Sequence, residues 1–140
     1  MLNSFETSLW QHVRRALAIW LGSLEDVVLI TPALQKLRQS LPDAAITLMT
    51  SPSDSQAGQL PWVDDVLVYE GTLFTSNAER ELALIETLSR RAFDAAVIFT
   101  NNRESPYPLA YICYLAGIPI RLGQSQEFGG SVLYPLLKRT

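Results

Sequence analysis

The chain of 140 residues contains a single cysteine and a single histidine. One cysteine excludes an intrachain disulfide, and Cys113 and His12 are too far apart in sequence for a zinc site of the usual kind. Cys113 lies in the apolar run YICYLAG, so we expect a buried, unreactive thiol. The sequence therefore predicts neither a disulfide scaffold nor a metalloprotein, and we expect no cofactor.

Charge is also sparse. Charged residues make up 18% of the chain, the formal net charge is -3, and the 11 basic residues are scattered along the sequence. A surface for nucleic acid needs a basic stripe that neutralises phosphates, so we expect no nucleic-acid partner. Hydrophobic residues account for 48% of the chain, which is enough to form the core of one domain.

Long apolar runs are missing as well. The uncharged stretch 106–120 is about 15 residues long, short of the roughly 20 that a spanning helix needs. Arg14 and Arg15 precede an apolar run as in a secretory signal, but Glu25 and Asp26 interrupt that run and no cleavage site follows cleanly. We therefore expect a cytoplasmic protein.

What the sequence does contain is an alternation of short apolar runs and amphipathic segments. The pattern predicts strands at 16–21, 45–50, 63–69, 94–100 and 118–122, and helices at 26–40, 78–91, 108–116 and 132–138. Pro32 should kink or break the first helix. Nearly continuous apolar strands between helices indicate a parallel sheet covered on both faces. The predicted fold class is α/β, a Rossmann-like three-layer sandwich with a mainly parallel sheet.

Ligands of an open parallel sheet bind at the carboxyl ends of its strands. Two predicted loops there, 22–26 and 101–105, flank the expected switch point and should face one crevice. The second loop is dense in hydrogen-bond donors and acceptors, as a carbohydrate or phosphate site requires, although a solvated loop is an equal alternative. The candidate binding residues of the two loops are Gly22, Ser23, Glu25, Asn101, Asn102, Arg103 and Ser105.

The first of these loops lacks the G-x-G-x-x-G pattern of dinucleotide-binding proteins. Glu25 and Asp26 follow its single glycine and oppose a pyrophosphate there, so we expect no nucleotide on this loop. Asp26 has two interpretations. By residue type it is first of all a helix N-cap, and the alternative is a general base that takes a proton from a sugar hydroxyl.

Two further groups of side chains invite a choice between structure and function. Tyr107, Tyr111 and Tyr114 share one helical face, for which core packing is favoured over stacking on a sugar. Solvated helix faces are expected to carry the basic side chains of Lys36, Arg38, Arg90 and Arg91.

Several short motifs occur in a recognisable order. WLGSLED at 20–26 and TPAL at 31–34 are followed by the spacing R-x-x-x-P-x-A-x-I-x-L at 38–48. The later segments are PWVDDV at 61–66, RRAFDAAVI at 90–98 and LAGIPIRLG at 115–123. In this order, residues 16–123 resemble the family 9 glycosyltransferases, to which the lipopolysaccharide heptosyltransferases belong.

The resemblance implies one half of a GT-B enzyme with two Rossmann-like domains and inverting, metal-independent chemistry. In that family the N-terminal domain binds a glycan or glycolipid acceptor, and the C-terminal domain binds the nucleotide-sugar donor. The resemblance also implies that Asp26 is the catalytic base. Two positions depart from the family pattern, since its basic residue is Trp20 here and its second glycine is Glu25.

The resemblance leads us to expect an N-terminal extension at 1–15 and, at 16–140, an acceptor-side domain that is incomplete at its C-terminal end. Donor binding would then need a missing C-terminal domain, and the isolated chain should be inactive. The lipid-linked acceptor suggests peripheral contact with the inner membrane. A non-catalytic α/β binding module or a truncated remnant is the alternative. A receiver or flavodoxin-like domain ranks last, because the third strand ends in Val-Tyr-Glu without an aspartate.

Overall fold

The structure is a computed structural model that describes residues 10–21, 27–51, 61–69, 78–100, 107–125 and 137–138. The strands in these ranges are β1 (Arg15–Trp20), β2 (Ala45–Thr50), β3 (Asp65–Val68), β4 (Ala95–Ile98), β5 (Ile120–Ser125) and β6 (Leu137–Lys138). The helices in the same ranges are α1 (Val27–Ser40), α2 (Ala78–Arg91) and α3 (Tyr107–Leu115).

The strands form one sheet in the order β3-β2-β1-β4-β5-β6, and every neighbouring pair is parallel. From β1 the chain moves outward through β2 to β3, and it then returns to the other side of β1 to form β4. The strand order thus reverses between β1 and β4, which is the switch point of a doubly wound sheet. The predicted Rossmann-like α/β fold is confirmed.

Helices cover both faces of the sheet, because successive side chains of a strand point to opposite sides. Leu17 and Ile19 of β1 pack in the cluster formed with α2 and α3. Ala18 and Trp20 of the same strand pack in the cluster formed with α1. The contributing helical side chains are Leu84 and Leu88 of α2, Leu109 and Ile112 of α3, and Leu34 of α1.

The boundaries of β2 and α2 agree with the sequence pattern, whereas a break at Pro32 and a helix at Leu137 and Lys138 are not found. Helix α1 continues through Pro32 without a break. Pro32 lies just after the first turn, where it removes only one helical hydrogen bond. Leu137 and Lys138 form a strand instead of a helix and pair with Gln124 and Ser125. The rest of that predicted helix, 132–136, lies outside the described residues.

Two aspartates fix the strand register at the amino edge of the sheet. Asp94 Oδ2 accepts hydrogen bonds from the backbone N–H groups of Arg14 (2.8 Å) and Arg15 (3.0 Å), and its own N–H donates to the Arg15 carbonyl (2.8 Å). Asp64 repeats this arrangement with Ile46, accepting from its N–H at 2.8 Å and donating to its carbonyl at 2.8 Å. Each aspartate therefore aligns the strand that follows it with the neighbouring strand.

Arg38, near the end of α1, makes further contacts at the amino edge of the sheet. Its guanidinium donates to the carbonyls of Ala44 (2.8 Å) and Trp62 (3.2 Å) and forms an ion pair with Asp64. The predicted solvated position of Arg38 is therefore wrong. The same prediction fails for Arg91, which pairs with Asp65 at 2.6 Å. It holds for the exposed side chains of Lys36 and Arg90.

Candidate functional site

The candidate site lies at the carboxyl edge, where β1 and β4 end side by side. Ile19 is in register with Ile98, and the Phe99 N–H continues the pairing by donating to the Ile19 carbonyl at 3.0 Å. Beyond Leu21 on one strand and Thr100 on the other, the chain enters the segments 22–26 and 101–106. The topology therefore places the ends of the two strands that precede these segments next to each other at the same edge.

The predicted site residues themselves belong to these two segments. Asp26 with Gly22, Ser23 and Glu25, and Asn101, Asn102, Arg103 and Ser105, all lie outside the residues that the structure describes. Their assignment as base and binding residues stays a prediction. What the structure provides is the placement of the strand ends from which they follow.

Trp20 is the last residue of β1 and is only 2% exposed. Its side chain packs with Leu34 of α1 and Leu48 of β2. Even-numbered residues of β1 face α1, so the indole anchors that helix to the sheet. This is the position at which the resemblance places a basic residue, and here the last side chain of β1 serves packing.

Helix α3 corrects the prediction for the tyrosines. Tyr111 and Tyr114 are 54% and 53% exposed, so their assignment to the core is wrong, while Tyr107 is partly buried against the core. Helix α3 is apolar all around, and the opposite side supplies its core contacts. The buried side chains of α3 are Leu109, Ala110, Ile112 and Cys113. Periodicity alone could not tell which of two apolar faces is inside.

Two buried side chains lie in or beside α3, those of Cys113 and Arg121. Cys113 is fully buried, which confirms its expected position in the core, and desolvation raises the pKa of its thiol to about 12. Arg121 of β5 is also buried, and the sequence assigned it no role beyond its place in the motif LAGIPIRLG. Its guanidinium donates to the Ile118 carbonyl at 2.6 Å and lies 5.2 Å from the centre of the Tyr114 ring. That motif, and an arginine within the apolar stretch 118–122, were the signals that could have found it.

Two negative findings apply to the described residues alone. Within the described ranges, no group of three or more His, Cys, Asp and Glu side chains is arranged to hold a metal ion. None of the helices in those ranges combines the length and apolar character needed to cross a bilayer.

Comparison with known proteins found solved structures with a similar fold. No protein-family model and no curated protein matches the sequence. A family 9 glycosyl transferase from Veillonella parvula is similar in structure, with a TM-score of 0.63 and 21% identity over 91% of this chain. E. coli heptosyltransferase WaaC, solved with ADP-2-deoxy-2-fluoro heptose, has a TM-score of 0.53 and 18% identity over 79% of this chain. The chain spans 35% and 36% of the lengths of these two proteins. Its fold is therefore similar to that of part of each of these two proteins.

Proposed function

We propose that this chain is the acceptor-binding, N-terminal part of an inverting glycosyltransferase resembling the heptosyltransferases. The complete enzyme would move a sugar from a nucleotide-sugar to a lipid-linked or cell-envelope glycan. The observation that carries the proposal is the position of the motifs on the sheet. WLGSLED spans the end of β1, RRAFDAAVI leads into β4, and these two strands are neighbours at the switch point. The fold similarity to two glycosyltransferases supports the same conclusion.

In the proposed reaction, Asp26 takes the proton from an acceptor hydroxyl as the oxygen attacks the anomeric carbon of the donor sugar. The bond from that carbon to the nucleoside diphosphate breaks, and the diphosphate leaves with the electron pair. Attack from the opposite side inverts the configuration at the anomeric carbon. The residues proposed to bind the acceptor are Gly22, Ser23, Glu25, Asn101, Asn102, Arg103 and Ser105.

The donor needs a second domain in this proposal. The nucleotide-sugar would bind to a C-terminal domain beyond the 140 residues, in line with the share of each similar protein that the chain spans. Without it, the positioning that makes transfer fast is missing, so the isolated chain is inactive. We propose a cytoplasmic location with peripheral contact to the inner membrane, because the acceptor would be lipid-linked.

The proposal is tested by offering both substrates to the 140-residue chain. NMR titrations with deacylated lipopolysaccharide core glycans and with ADP-heptose would measure binding, and mass spectrometry would detect transfer. We expect acceptor binding, no donor binding and no product. The double variant Asn101→Ala, Asn102→Ala should weaken glycan binding at least tenfold, because each lost amide removes hydrogen bonds to sugar hydroxyls. Lys36→Ala, on the exposed side of α1, is the control.

Either of two results would reject this assignment. Product formed by these 140 residues alone would mean that the donor site is present in the chain. Absence of glycan binding would mean that the fold is shared without the acceptor site.

A second candidate is a non-catalytic binding module that keeps the crevice. The observation in its favour is Trp20, whose buried indole occupies the place of the family's basic residue. Glu25 adds a second departure beside the proposed base. Joining the chain to a family 9 donor domain and comparing Glu25 with Glu25→Gly separates the two. A gain in transfer favours an enzyme, and equal inactivity of both forms favours the module.

A further inference from the structure

A cavity of about 230 Å³ lies between the outermost strand β3 and helix α2. Strand β3 and the residue after it contribute 67–69 to its wall. Helix α2 contributes Arg80, Ala83, Leu84 and Thr87, which recur at helical spacing and therefore form one side of the helix. None of the described residues that line this cavity was assigned to the site by the sequence or the resemblance.

The lining combines apolar and polar groups. Leu67, Ala83 and Leu84 form an apolar surface, while Arg80 supplies donors and Thr87 a hydroxyl that donates and accepts. Tyr69 adds a phenol that is mostly buried. Desolvation raises the pKa of this phenol, with a further increase from Glu81 and an opposing effect of Arg80, so a carboxylate and a guanidinium both lie near it.

This chemistry favours a neutral sugar over other small ligands. A sugar ring has an apolar C–H face for the leucines and a rim of hydroxyls for donors and acceptors of both kinds. A phosphate would be attracted by Arg80 and repelled by Glu81, and Glu81 has the larger effect on the pKa of Tyr69, so the net charge beside the phenol opposes an anion. A hydrocarbon chain would desolvate Arg80 and Thr87 without offering them a hydrogen bond in return. The volume is below the roughly 300 Å³ at which pockets for drug-sized ligands begin, so it suits one ring.

The cavity also lies at the functional edge of the sheet. Residues 67–69 stand at the carboxyl end of β3, the end at which β1 and β4 reach the switch point. Strand β3 is two strands away from β1, which corresponds to about 10 Å at the usual strand spacing. A glycan of a few sugars can reach from one place to the other.

We propose that the cavity between β3 and α2 binds one neutral sugar ring of a glycan, at a distance from the reacting hydroxyl. This inference rests on the proposed function for the origin of the glycan. The cavity would be a second binding site for the acceptor glycan. It would select among acceptors by recognising a sugar that takes no part in the reaction.

The test uses NMR titration of the ¹⁵N-labelled 140-residue chain. The probes are the methyl α-glycosides of glucose, galactose and mannose, with glucose 6-phosphate and hexanoate for comparison. We expect at least one neutral glycoside to shift the amides of Val68, Ala83 and Thr87 saturably, and the two anionic probes to bind more weakly. Thr87→Val should weaken binding about fivefold, the effect of losing one ordinary hydrogen bond.

Two further variants distinguish an effect on the cavity from a general effect of substitution on the fold. Ala83→Leu narrows the cavity without removing a polar group and should also weaken binding. Ser89→Ala, on the exposed surface of the same helix, should leave it unchanged. No saturable shift with any glycoside at these amides, or tighter binding of an anionic probe, would overturn the proposal.

The outcome for the cavity is separable from the outcome for the proposed function. If core glycans bind in a manner sensitive to Asn101 and Asn102 but methyl glycosides do not bind at α2, only the cavity proposal fails. If methyl glycosides bind at α2 but the Asn101 and Asn102 variant binds core glycans normally, the proposed crevice fails and the cavity stands.

Discussion

The two edges of the sheet use their polar residues for different purposes. At the amino edge, the charged side chains of Arg38, Asp64 and Asp94 are bonded to strand backbone or to each other. At the carboxyl edge lie the strand ends from which the two proposed binding segments follow, and the cavity beside Tyr69. The amino edge therefore holds strands in register, and the carboxyl edge is where we propose that a ligand binds.

The difference between the two edges shows which motifs of the family resemblance reflect the fold and which bear on the chemistry. The segments 38–48, 61–66 and 90–98 supply the bonded residues of the amino edge. Their similarity to the family follows from a requirement of the sheet, so by itself it indicates the fold and the placement of the strand ends. Only the segments at 20–26 and 101–105 bear on the chemistry, and the first of them contains both departures, Trp20 and Glu25.

The largest effect is expected for Asp94→Ala. The change leaves the N–H groups of Arg14 and Arg15 without their charged acceptor. Hydrogen bonds to a charged group contribute about 1.5–3 kcal/mol each when buried, and partial exposure reduces this, so we expect a loss of about 2–3 kcal/mol. Urea unfolding followed by circular dichroism measures it. Asp43→Ala, an exposed aspartate before β2, should change stability by less than about 0.5 kcal/mol. Equal losses in the two variants would contradict the proposed role of the amino edge.

A smaller loss, about 1–2 kcal/mol, is expected for Arg38→Ala. Arg38 bonds to the carbonyls of Ala44 and Trp62, but its ionic partner Asp64 is half exposed, which weakens the ion pair. Lys36→Ala on the same helix is the control and should be nearly neutral. The effects of Arg38→Ala and Asp64→Asn should be less than additive, since both remove one shared contact. Full additivity in the same unfolding assay would show that the two side chains act independently.

The smallest effect is a pH dependence that originates at Asp64. The backbone hydrogen bond from Ile46 lowers the pKa of this carboxyl below its ordinary value of 3.8, Arg38 lowers it further, and partial desolvation opposes both. A depressed folded-state pKa means that its contribution to stability is complete above about pH 4 and declines as the pH falls through the lowered pKa. The wild-type chain should therefore lose more stability than Asp64→Asn between about pH 4 and pH 2. Parallel curves for the two proteins would rule out this contribution.

The predictions from sequence succeeded where the local pattern had one solution. Helix α2 has a polar and an apolar side, and its boundaries and the burial of Leu88 follow from that period. Helix α3 has two apolar sides, and the tyrosines were assigned to the wrong one. Residues 137 and 138 were assigned to a helix because their pairing with β5 depends on a neighbour that periodicity does not reveal.

The candidate site also has one part that the sequence predicted and one part that it did not. Sequence order and the resemblance identified the segments after β1 and β4, and the topology confirms that these strands are neighbours. The cavity beside β3 was not predicted, because its wall joins a strand and a helix whose contact exists only in the folded chain.

The sequence by itself determined the alternation of strands and helices and the α/β class, because burial on both sides of a parallel strand leaves a continuous apolar run in the chain. Only the tertiary structure decided the functions of single side chains. Arg38 and Arg91 read as solvated cations but bond across the amino edge, and Trp20 reads as a substituted site residue but anchors α1. The physical reason is that a side chain's partners are set by packing between distant segments, whereas local periodicity records only which side of an element avoids water.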